Sequence, residues 1–171
     1  IRAVVLDHNG NPDVPGGYTI ATSNDELSAP ALAVSGSRFC VVWKRQGATG
    51  DEVEASMVYY SGSAYSYRTA ALRVFPDSVT TSSPDVAAAG DSFVVTARSD
   101  GLSGQNAIIT ATIGYPSSPL PPASTSPKGR EPALASLGEG RTALFWLDHR
   151  TKQRASTQIW MAVSPATGAA F

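Results

Sequence analysis

Three stretches of this chain are copies of one another, and their spacing limits what the chain can fold into. The first is APALAVSGSRFCVVWKR, Ala29 to Arg45; the second is SPDVAAAGDSFVVTARSDG, Ser83 to Gly101; the third is EPALASLGEGRTALFWLDHR, Glu131 to Arg150. Each carries a Pro, an apolar residue two positions on, an Ala, a Gly and then a β-forming run. The prolines fall at 30, 84 and 132, and the glycines at 36, 90 and 138. Recurrence at about 50 residues is the mark of a repeat architecture, here one made of strands.

Taken in order, Ile1 to Leu6 reads as a strand and DHNGNP as a hairpin turn, with Asn9-Gly10 suited to a type I′ turn. Tyr18 to Thr22 follows as a short outer strand, and Ser23 to Ser28 as a polar connection. In the first copy Pro30 to Val34 is a strand and Gly36-Ser37 a turn. Phe39 to Trp43 is apolar at every position, as a strand buried on both faces must be. Gln46 to Asp51 reads as a loop, Val53 to Tyr60 as a third strand, Ser61 to Ser66 as a turn and Ala70 to Phe75 as a fourth strand.

The second copy repeats the order with Pro84 to Ala87, Phe93 to Ala97 and Ala107 to Ile113. Ala97 stands where the flanking copies carry Trp43 and Trp146, so a neighbouring side chain is expected to fill the gap. Residues 115–127 hold five prolines, which disfavour a sheet ladder and favour extended polyproline conformation. They are expected to replace or reshape a fourth strand. The third copy gives Ala133 to Ser136, a longer turn at Gly138-Glu139-Gly140, Thr142 to Leu147 and Gln158 to Val163. No segment shows a capped 3.6-residue apolar pattern.

The expected class is therefore all-β. Four strands per repeat of about 50 residues is the geometry of a β-propeller blade. A β-sandwich, also built of short strands joined by regular turns, is the alternative. The segments Pro30 to Arg45 and Pro132 to Arg150 resemble bacterial secreted β-propeller repeats, with a degenerate P-x-V-A…F-x-V-x-W pattern and a following loop of Asp and Arg. The Gly-His…Trp-Asp signature of WD40 repeats and the Ser-X-Asp-X-Gly-X-X-Trp box of sialidases are both missing. On this reading residues 1–28 end a preceding blade, 29–82 and 83–130 are blades, and 131–171 is an incomplete one.

A net charge of −1 makes no case for nucleic acid, and no apolar run reaches the length of a membrane helix. Cys40 is the sole cysteine and lies in the run FCVVW, where it should act as a small buried hydrophobe. With two histidines and no Cys pair, a transition-metal site is not expected. Asp7, Asn9, Asn11 and Asp13 alternate as oxygen donors, a pattern that calcium favours. Pro12, however, stands where a calcium loop needs Gly, and the same residues suit a polar turn. Calcium is the one cofactor this leaves open.

Tyr59, Tyr60, Tyr65 and Tyr67, set among serines, fit a sugar- or peptide-contacting surface, or alternatively packing on the core and the hairpin. Asp148, His149 and Arg150 end the third copy's second strand, at a rim where ligand loops would gather or where they would simply hold a loop. The resemblance implies a secreted, periplasmic or cell-surface protein, and a non-catalytic binding or scaffolding module for protein or glycan. A glycan-processing hydrolase or lyase, or an accessory domain of one, is the competing class.

A chain that opens on Ile1 rather than Met is expected to have lost something upstream. Three and a half blades do not close a ring, so further polypeptide should complete it: the rest of a precursor, a companion chain or a second copy. That partner is expected along Ile1 to Leu6 or Gln158 to Val163, covering Val4, Leu6, Trp160 and Ala162.

Overall fold

The computed structural model describes residues 1–60, 65–68, 70–76, 80–100, 107–114, 123–126, 129–148 and 158–164, with the backbone alone for 65–68 and 123–126. Every regular element among them is a strand. A short ribbon comes first, with β1 (Arg2–Ala3) antiparallel to β2 (Tyr18–Thr19). The strand expected over Ile1 to Leu6 is thus shorter, continued only by an isolated bridge from Leu6 to Pro12. Its turn also differs from the type I′ expectation. Gly10 N donates to Asp7 O at 3.0 Å and Asp7 N to Asn11 O at 2.9 Å. Only Gly10 takes positive φ, at 83°, which makes this a type I turn closed by a left-handed glycine.

Three antiparallel meanders follow, each ordered as in the sequence. The first sheet holds β3 (Glu26–Ser35), β4 (Arg38–Gly47), β5 (Gly50–Tyr60) and β6 (Tyr65–Arg68), with β7 (Leu72–Arg73) also paired to β5. The second holds β8 (Thr81–Ala89), β9 (Ser92–Ser99), β10 (Ala107–Ile113) and β11 (Ala123–Ser126). The third holds β12 (Gly129–Gly138), β13 (Arg141–Asp148) and β14 (Gln158–Val163).

Three expectations change here. The loop expected over Gln46 to Asp51 is mostly ladder, because Gln46 pairs with Asp51 and Gly47 with Gly50. The fourth strand expected over Ala70 to Phe75 is divided between β6 and β7. Inside the proline-rich stretch Ala123 to Ser126 does enter the ladder, against β10. That tetrapeptide lies between Pro122 and Pro127 and contains no proline, so each of its amides keeps its donor.

The repeat is written into the backbone. Ala29, Ser83 and Glu131, each just before its copy's proline, have φ of 49°, 52° and 50°. At each of them the ladder slips: between Ser28 and Ala31, Ser82 and Asp85, and Arg130 and Ala133. Two residues there oppose one, which is a β-bulge. By register the single opposed residues are Trp43, Ala97 and Trp146. These are the positions that the sequence aligned.

Strand parity then orders the sheets. Phe39, Val41 and Trp43 face the ribbon and join Ile20 and Val58 in one cluster. On the opposite face Cys40, Val42, Val53, Ala55 and Met57 meet Val86, Phe93, Val95, Ala97, Ile109 and Ile113 of the second sheet. Phe75 belongs to the same cluster. Ile108, from the far face of the second sheet, meets Leu144 and Trp146 of the third. The residues opposite the bulges therefore always face the preceding unit. The first strands also pack in series, β3 on β8 and β8 on β12.

Side chains clamp these joints. Ser35 Oγ donates to Gly90 O at 2.7 Å, Arg38 binds both the carbonyl and the carboxylate of Asp91, and Leu134 N donates to Asp85 Oδ2 at 2.7 Å. The product is four antiparallel sheets in series, not the two layers of a sandwich, and no sheet closes on itself among the described residues.

Candidate functional site

The densest charged cluster among the described residues sits where β4 turns into β5. The tight connection at Ala48-Thr49 sets the register, placing Trp43 opposite Glu54 and Arg45 opposite Glu52. Residues two apart on a strand share a face, so all four side chains emerge beside the ribbon. Trp43 Nε1 donates to Glu54 Oε2 at 2.9 Å, and Arg45 Nη1 donates to Glu54 Oε1 at 2.6 Å. Asp25 Oδ2 lies 3.2 Å from Arg45 Nε, and Arg73 pairs with Glu52. Lys44 Nζ donates to Asp51 Oδ2 at 3.1 Å on the other side of the hairpin.

Three carboxylates (Asp25, Glu52, Glu54) thus meet two guanidinium groups (Arg45, Arg73). The Glu54 charge, foremost, pushes the Arg45 pKa further up and keeps it cationic. Both oxygens of Glu54 are engaged by charge-assisted or indole hydrogen bonds, so it is a fixed acceptor rather than a free acid or base. Arg45 and Glu54 form one wall of a cleft of about 210 Å³, completed by Ile20, Ala21, Thr22, Ser23, Leu27 and Ala71. Arg45 Nε is shielded from solvent and makes no hydrogen bond in good geometry. What the cleft can do chemically is hold a polar ligand against a fixed ion pair.

The tyrosines lie at the other end of β5. The ladder sets Tyr59 opposite Tyr67 and Tyr60 opposite Tyr65, so the backbone does gather all four. Tyr59 packs against the core between the first and second sheets. Tyr60 meets Phe39 edge to face at 6.5 Å between centroids. Both rings are half-buried. Asp148 ends β13, paired with Gly129 and Gln158, and is buried. By alignment on the bulge it is the third sheet's counterpart of Arg45, so the structure does not bring it to the tyrosines. His149 and Arg150 lie outside the described residues.

Asp7 Oδ1 accepts from Asn9 N at 2.8 Å and Asn11 N at 2.9 Å, and its other oxygen accepts from the Asn11 amide. These bonds, the Asn11 backbone first, hold the Asp7 carboxyl below the usual carboxylate range. Asp13 accepts from the Tyr18 hydroxyl at 2.9 Å. The Asp7 and Asn11 side chains hold the turn together, and Asp13 ties its far end to Tyr18. Among the described residues no group of three or more His, Cys, Asp or Glu is placed to hold a metal.

The cluster of Arg45 and Glu54 was missed from sequence, though a signal for it existed. WKR and DEVE carry Trp43, Arg45, Glu52 and Glu54 at alternating positions around a Gly-containing turn. Reading Gln46 to Asp51 as loop hid the register that unites them. No protein-family model matches the chain, and no curated protein matches it in sequence.

Proposed function

We propose that this chain is a non-catalytic binding or scaffolding module made of β-propeller-type blades, working outside the cytoplasm. The three sheets, joined in series through a shared bulge and a shared facing rule, support the blade reading. The observation that carries the binding reading is the cleft beside the ribbon, whose charged wall is already neutralised by fixed partners. A hydrolase needs a carboxyl free to give or take a proton. Glu54, the only carboxylate lining the cleft among the described residues, has neither oxygen free. The cleft instead presents Thr22, Ser23 and the edge of Arg45, groups suited to sugar hydroxyls.

A glycan array run in parallel with a reducing-end assay on the same oligosaccharides tests this. The expected result is retention that weakens about tenfold in Arg45→Gln, the loss of roughly one charged hydrogen bond, with no new reducing ends. Reducing ends that vanish in Glu52→Gln would overturn the proposal in favour of a glycan-processing enzyme.

A further inference from the structure

Arg45 has hydrogen-bonding capacity left over, although carboxylates crowd it. A guanidinium carries five N–H bonds in a planar fork, and Nε with Nη2 forms one edge of it, which suits a carboxylate side-on. Nη1 is taken by Glu54 Oε1 at 2.6 Å. On the Nε–Nη2 edge, Asp25 Oδ2 lies 3.2 Å from Nε and Glu52 Oε2 lies 3.7 Å from Nη2. The first contact is off the line of the N–H, so Nε makes no hydrogen bond, and the second is beyond hydrogen-bond reach. Two carboxylates from different elements share this edge, and neither is aligned with it.

The two are held very differently. Glu52 stands in the β5 ladder opposite Arg45, pairs with Arg73 through its other oxygen, and has a side chain only 11% exposed. Asp25 lies just before β3, in a turn where its N–H donates to Ser23 Oγ at 3.0 Å, and its side chain is 42% exposed. Asp25 is therefore the member that can swing aside into water. It also continues the segment that gives Thr22 and Ser23 to the cleft wall.

We propose that Asp25 stands in for a ligand carboxylate, and that the glycan taken by the cleft is acidic: a uronic-acid unit displaces Asp25 and binds the Nε–Nη2 edge of Arg45. This rests on the glycan-binding reading and narrows it to a chemical class. The exchange replaces one carboxylate by another, so three acids face two guanidinium groups before and after it. What changes is geometry. A carboxylate on a ligand is free to align with both N–H bonds, whereas the Asp25 carboxylate is tethered to a backbone that holds it off line. Releasing Asp25 costs little, because a partly exposed ion pair without an aligned hydrogen bond contributes little to stability.

An array of uronic-acid oligosaccharides, each printed beside its own methyl ester, tests this, with titration calorimetry on the best-retained pair. The acid should bind about tenfold tighter than its ester, and Arg45→Gln should erase the difference. Asp25→Asn removes the competing charge and should tighten the acid about tenfold further while leaving the ester within about twofold. Asp51→Asn, on the other side of the hairpin beside Lys44, removes the same charge without freeing Arg45 and should change neither. Esters bound as tightly as acids, or an Asp25→Asn variant that binds the acid no better than the wild type, overturn the proposal and leave glycan binding standing. Equal tightening by Asp51→Asn overturns it too, since net charge alone would then explain the gain. Retention of no sugar, acid or ester, overturns this proposal and the glycan-binding reading together.

Discussion

Cys40 shows what burial does to one group. It is fully enclosed between the first and second sheets, and burial pushes its thiol pKa up to about 12 from 9.0. The folded chain therefore holds the proton over a range in which the unfolded chain releases it. The stability tied to this proton is fully present below pH 9 and falls away as pH rises from 9 towards 12. Unfolding free energy should decline over that window more steeply in the wild type than in Cys40→Ala, and urea titrations at fixed pH values measure it. The same enclosure should keep the thiol inert to an aromatic disulfide reagent until the chain is unfolded. Glu54 illustrates a polar group that organises its neighbours. Glu54→Ala removes the acceptor of a wholly buried Trp43 indole and a partner of Arg45, and should cost about 2 to 3 kcal/mol. Glu54→Gln keeps an oxygen for the indole and should cost less, which urea unfolding followed by tryptophan fluorescence would resolve.

Among the elements, the bulged first strands carry the repeat most faithfully. A non-glycine residue in the left-handed region is strained, and a β-branched one more so. Ala29→Ile or Ser83→Ile should each cost about 1 to 3 kcal/mol, whereas Ala29→Gly should be neutral or stabilising by less than about 1 kcal/mol. Urea midpoints are the readout, and a harmless isoleucine would show that the bulge is not held in that conformation. Two strands were legible in sequence to the residue, Ala107 to Ile113 and Gln158 to Val163. The alignment of Trp43, Ala97 and Trp146 was legible too. The bulge was not, because a residue before proline is biased towards extended conformations and nothing in Ala, Ser or Glu announces a positive φ. The charged cleft was hidden for a related reason. Its members come together only through the β4–β5 register, and polar residues beside a glycine read as loop when pairing is unknown.

On the scale of the whole molecule, sheets in series make stability a sum of neighbouring joints rather than a property of one core. Those joints are unequal. The cluster between the first and second sheets draws on Phe93, Met57, Ile113 and many smaller side chains, while that between the second and third centres on Ile108, Leu144 and Trp146. The third sheet should therefore open at lower free energy than the first two, as a local event seen by hydrogen exchange. Gly129 gives a way to move that event alone. A Cβ there would run into the Ile108 side chain and come within 3.0 Å of Trp146 Cδ1, so the two sheets are held together partly by what this position lacks. Gly129→Ala should overpack the joint by about 1 to 3 kcal/mol. The amides of β13 should then exchange about ten to a hundred times faster, while those of β4 and β9 keep their protection. Equal acceleration in all three sheets would mean instead that the series unfolds as one cooperative body, with the joint between the second and third sheets as strong as the larger core behind it.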